Sequence, residues 1–82
     1  MEKRSLSLAG HRTSVALERE FWDAVAAAAA EEGVSLPAFI TEIDRRRGAR
    51  NLASALRVTV LARLQARNRT AAEADAVAES GG

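Results

Sequence analysis

The sequence contains no cysteine, so neither a disulfide framework nor a thiolate metal site can stiffen it. It has one histidine, His11, and no second imidazole at ligand spacing, which excludes the common metal-site patterns. Ser7 and Ser14 lie near His11, but so small a helical chain offers little enclosed space for a Ser/His/Asp arrangement. No G-x-x-x-x-G-K or G-x-G-x-x-G run is present to cradle a phosphate. The aromatics are Phe21, Trp22 and Phe39 alone, too few for a stacking platform that holds single-stranded nucleic acid. No apolar run approaches the roughly 18–20 residues of a membrane span, and no signal-peptide pattern opens the chain. The expectation is a cytoplasmic, non-enzymatic protein with no metal and no cofactor.

What is present is short, helical and unevenly charged. At 82 residues the chain is one domain. Domains of that size bury modest cores, and without disulfides or metals oligomerisation is the usual remedy. The net charge of +1 conceals segregation. Residues 18–33 carry Glu18, Glu20, Asp23, Glu31 and Glu32 against Arg19, a sum of −4. Residues 45–69 carry eight arginines and no acid, and Glu73, Asp75 and Glu79 follow.

His11–Leu17 alternates with period two, placing Thr13, Val15 and Leu17 on one face and Arg12, Ser14 and Ala16 on the other. A strand needs a partner for its backbone groups. Residues 1–10 offer one through the alternating Ser5-Leu6-Ser7-Leu8, or serve as an N-terminal arm or strand extension. The arm or extension is favoured, because Ala9-Gly10 is a weak hairpin signal. From Glu18 the period changes. Phe21, Ala24, Val25 and Ala28 share one helical face, and Gly33 is a natural stop, which predicts a helix over 18–32. Ser35 can cap a second helix over 36–47, with Pro37 tolerated in its first turn and Leu36, Phe39, Ile40 and Ile43 on one face. Arg45, Arg46 and Arg47 suit its C-terminal end, where they can pair with Glu42 and Asp44, and Gly48 stops it. Asn51 can cap a third helix over 52–67, whose broad apolar face (Leu52, Ala55, Leu56, Val60, Leu64) calls for a covering partner. Residues 70–82 read as a flexible tail.

One strand followed by two capped helices resembles the ribbon-helix-helix family of transcription repressors, the group of the Arc and MetJ repressors. Gly10-His11-Arg12-Thr13-Ser14, Phe21-Trp22, Glu42-Ile43-Asp44 and Asn51–Arg57 are similar to a bacterial subgroup of short members with a third helix. The resemblance implies a core over 11–47, a third helix over 48–69, and a mainly α chain with one short strand. It also implies an intertwined homodimer with an intermolecular antiparallel two-stranded ribbon. The ribbon would enter the major groove of double-stranded DNA, with Arg12, Ser14 and Ala16 as the base-facing positions. Ala16 departs from the usual polar residue there. Lys3, Arg4 and His11 would supplement from the arm, and Val34, Ser35 and Leu36 would hold a phosphate at the start of the second helix. Val15, Leu17, Phe21, Trp22, Val25, Phe39, Ile40 and Ile43 would form the dimer core. The function implied is a sequence-specific transcriptional regulator. An antitoxin of the same fold and a dimeric protein-interaction module without DNA are the alternatives, with a further protein partner held by the third helix or tail.

Overall fold

In a computed structural model of the chain, β1 (Glu2–Leu8), β2 (His11–Leu17), α1 (Arg19–Glu32), α2 (Leu36–Arg46) and α3 (Leu52–Gly81) follow in order. The backbone is described for residues 1–81 and the side chains for residues 1–70. Over the flexible tail expected at 70–82 the backbone is helical through Gly81, and of its side chains only that of Thr70 is described.

The chain forms a two-stranded antiparallel ribbon by itself, where the resemblance implied one made between two copies. Residues 1–10 are neither arm nor extension: β1 pairs antiparallel with β2, from Glu2 opposite Leu17 to Leu8 opposite His11. The chain therefore has two strands where one was expected. Two physical terms favour the hairpin. The register puts Leu6 and Leu8 on the same face as Thr13, Val15 and Leu17, so both strands contribute to one apolar surface. The loop is only Ala9-Gly10, with φ of 48° and 91°, the positive pair that a type I′ turn requires. Gly10 takes this conformation freely, whereas Ala9 does so against its own preference.

Trp22 fastens the hairpin to the helices. Its ring is buried, and its indole N–H donates to the Glu2 carbonyl at 2.7 Å. A buried indole needs an acceptor, and β1 supplies it. The Arg4 guanidinium lies over the same ring, 4.7 Å from its centroid.

The helices follow their sequence signals closely. Glu18 precedes α1 as its N-cap residue, and Gly33 ends it at φ 70°. The N–H groups of Gly33 and Val34 donate back to Ala30 and Ala29, closing the turn. Ser35 accepts from the Ala38 N–H and caps α2, and Asn51 accepts from the Ser54 N–H and caps α3. The apolar stripes of all three helices meet under the hairpin. Leu8, Leu17, Trp22, Val25, Ile40 and Leu56 are the largest fully buried side chains. Val15, Phe39 and Ile43, expected at a dimer interface, are already buried within one chain, and Phe21 packs partly buried against them.

The first part of the third helix is covered by its own chain. Ala55, Leu56 and Val60 are buried, and α3 carries on beyond the end expected at residue 67. Arginines tie it to the acidic α1. Arg57 pairs with Glu18 at 2.9 Å, Arg63 with Glu31 at 3.0 Å and Glu32 at 2.8 Å, and Arg67 with Glu31 at 3.2 Å. Exposed pairs of this kind each contribute about 0–1 kcal/mol, so they set the helix's direction more than its stability. Val58, Leu61 and Leu64 remain 45%, 52% and 46% exposed.

Candidate nucleic-acid interface

The outward face of the hairpin is built by alternation. With Leu6, Leu8, Val15 and Leu17 drawn inward, Lys3, Ser5 and Ser7 of β1 must point out, and so must Arg12, Ser14 and Ala16 of β2. The register sets them in cross-strand pairs: Lys3 with Ala16, Ser5 with Ser14, Ser7 with Arg12. Five of the six are exposed, and Ala16 is half-buried. The face holds two cations, three hydroxyls, one methyl and no acid. Lys3 and Arg12 form no ion pair among the described residues, so both charges face solvent unneutralised.

The other basic residues near the N-terminus are placed differently. Arg4 points inward, bonded to the Glu2 carboxylate at 2.6 Å and stacked on Trp22. His11 is exposed beside the turn, opposite Leu8. Of Lys3, Arg4 and His11, only Lys3 shares the face of Arg12. Ser5 and Ser7 stand there too, residues not among the base- or phosphate-facing positions that the resemblance implied. Their signal was the Ser-x-Ser alternation, which acquires a face only once β1 pairs with β2.

At the start of α2, Val34, Ser35 and Leu36 are not equivalent donors. The Val34 N–H is engaged by the Ala29 carbonyl in closing α1. The Ser35 hydroxyl accepts from Ala38 at 3.2 Å, and Pro37 has no N–H. This leaves the Ser35 and Leu36 N–H groups, with the positive end of the helix behind them, as the donors open to an anion.

The arginine-rich segment is largely matched by acids. Arg46 pairs with Glu42 at 3.0 Å and Arg47 with Asp44 at 2.6 Å, as the spacing of α2 suggested. Arg57, Arg63 and Arg67 pair with α1, an arrangement announced in the sequence only by the opposite charge of the two segments. The Glu18 carboxyl is held below its ordinary value, first by its own backbone N–H and then by the Arg57 guanidinium. The Arg63 guanidinium is held above its ordinary value by Glu31 and Glu32. A cation so matched presents a weak net field to a polyanion.

β2 is open on the side away from β1, since the sheet has two strands only among the described residues. A groove of about 590 Å³ runs along that open edge, with Asp44, Arg47, Asn51, Leu52 and Ala53 on its far wall. No single helix among the described residues is long and apolar enough to cross a membrane.

A family model described as "Ribbon-helix-helix domain" covers residues 1–64, which includes the hairpin, α1, α2 and the first part of α3. Neither the curated proteins nor the solved structures give a match.

Proposed function

Because the chain belongs to the ribbon-helix-helix family, we propose that it is a sequence-specific, DNA-binding transcriptional regulator that works as a homodimer in the cytoplasm. The observation that carries this reading is the acid-free outward face of the hairpin, with Arg12 and Lys3 unmatched by any described carboxylate. A ribbon of this width fits the major groove, where a polar strand face meets base edges. Arg12 can give two hydrogen bonds to guanine O6 and N7, and Ser14 can donate or accept. Ala16 is suited to a thymine methyl. The free N–H groups of Ser35 and Leu36 suit a flanking phosphate. The second copy has a natural place along the open edge of β2, where unpaired backbone groups invite another strand.

The test is duplex binding at several salt concentrations, with random and genomic fragments. Retention that weakens steeply with salt, with some fragments held well above the rest, is the expected result. Failure of the wild-type protein to retain any duplex at low salt would sink the proposal.

The exposed Val58, Leu61 and Leu64 favour a second reading, in which a protein partner docks on α3 as in an antitoxin. Purification with a stoichiometric second protein, lost on Leu61→Lys, would support that reading.

A further inference from the structure

The two edges of the hairpin are not alike. β1 carries three charges at one end, Glu2, Lys3 and Arg4, whereas β2 carries Arg12 and no other acid, lysine or arginine. Charges along an edge strand discourage pairing with another chain, and an edge with fewer permits it. The groove of about 590 Å³ beside β2 has the polar ends of α2 and α3 in its wall.

The phase of the ladder agrees. A two-residue loop closes on a hydrogen-bonded pair, here Leu8 and His11, and such pairs recur at every second residue. The N–H and C=O groups of Thr13 and Val15 therefore point to β1, and those of Arg12, Ser14 and Ala16 point to the open edge. β2 has seven residues centred on Ser14. Full antiparallel overlap with a second copy sets Ser14 opposite itself and Arg12 opposite Ala16. All of these residues have their backbone groups at the seam, and the methyl of Ala16 leaves the facing arginine room to extend.

Resting on the DNA-binding homodimer proposed above, whose copies joined through β2 make a four-stranded sheet, we infer that Lys3, Ser5 and Ser7 of each β1 sit on the phosphate walls of the groove whose floor the central β2 pair reads. Width decides this division. Neighbouring strands are spaced by about 4.8 Å, so the central pair is narrow while the two outer strands stand about 14 Å apart. The major groove is about 12 Å wide. Only the central strands enter it, and the outer ones ride over its walls. A lysine and two hydroxyls, with no acid on their face, are donors suited to phosphate oxygens. Lys3, opposite the silent Ala16, supplies affinity at the position where β2 has no polar group to offer.

The experiment combines selection of bound DNA from a random pool with salt-titrated binding, for the wild-type protein and for Lys3→Ala, Ser7→Ala and Arg12→Ala. These side chains are all exposed, so the fold tolerates their loss. Lys3→Ala should select the same sequence as wild type, with a salt slope shallower by about two per dimer. Ser7→Ala should weaken binding evenly over all sequences, and Arg12→Ala should change the sequence selected. A changed sequence for Lys3→Ala or Ser7→Ala would overturn the inference, because β1 would then be reading bases. An unchanged slope for Lys3→Ala would overturn it too. Wild-type protein that binds no DNA overturns the functional reading itself, a result visible before any variant is made.

Discussion

Lys3 stands directly opposite Ala16 on the outward face of the hairpin. The pair sets one of the outward face's two cations against that face's one apolar residue. Ala16→Glu should therefore separate folding from binding. The new carboxylate meets Lys3 across the strands, and an opposite-charge pair of this kind stabilises by roughly 0.2–1 kcal/mol. The melting temperature should hold or rise slightly. DNA affinity at low salt should fall by at least about tenfold, because each copy gains a negative charge on the face turned to phosphate. Thermal melting and duplex binding on the same sample check both halves.

Arg12 is the residue best placed to read a base. Replacement by alanine should cost about 1–3 kcal/mol on the preferred duplex and far less on random duplexes, with salt-sensitive affinity remaining. Competition binding with the two duplex types measures the ratio. An equal loss on both would make Arg12 a phosphate contact.

Ala9 holds φ at 48°, a conformation that costs an ordinary residue roughly 1–2 kcal/mol. Asparagine and glycine accept it. Ala9→Asn should raise stability by about 1 kcal/mol, read as a higher midpoint in urea with an unchanged slope. Ala9→Pro cannot adopt the angle, so it should lower stability and expose the β1 amides to exchange.

Trp22→Phe removes the N–H that the Glu2 carbonyl accepts at 2.7 Å. The loss combines a hydrogen bond with part of a buried ring, so about 1–3 kcal/mol is expected. The effect should be local as well as global. Amide exchange should rise most along Glu2–Ser5, the end of β1 that Trp22 holds.

Glu18 links the start of α1 to Arg57, and its carboxyl titrates below the ordinary value of 4.5. A group whose folded-state value is depressed stabilises the fold above the unfolded value and loses that contribution as pH falls through the folded one. Stability should therefore drop as pH falls below about 4.5. Glu18→Gln should flatten that part of the profile in pH-dependent melting, while other carboxylates keep theirs.

How the chain folds was legible wherever the signal was local. Gly33, Ser35 and Asn51 marked the helix ends within a residue or two, and the spacing of Phe39, Ile40 and Ile43 gave the buried side of α2. The hairpin was legible only in part. Its turn depends on Ala9 accepting an uncommon angle, and β1 is held by Trp22, a residue 20 positions from its acceptor. Neither leaves a mark in a short sequence window. The same gap hid Ser5 and Ser7, whose outward face exists only because β1 is paired. The arginines of α3 showed their charge but not their partners, since Arg63 reaches Glu31 and Glu32 across helices distant in sequence.

The seam between two copies can be tested with one residue. If β2 pairs with its copy about Ser14, the Ser14 N–H serves the dimer and not the hairpin. Proline has no N–H and is tolerated in strands chiefly where that group faces away from the ladder. Ser14→Pro should therefore leave the hairpin folded, with β1 amides still protected, while light scattering reports a monomer. Thr13→Pro is the matched control. Its N–H faces β1, so the same substitution one residue earlier should unfold the hairpin and lower the melting temperature sharply. A Ser14→Pro protein that remains dimeric would place the seam elsewhere on the molecule. Val58, Leu61 and Leu64 of α3 would then be the next surface to probe, because among the described residues they are the large apolar side chains that the helix leaves exposed.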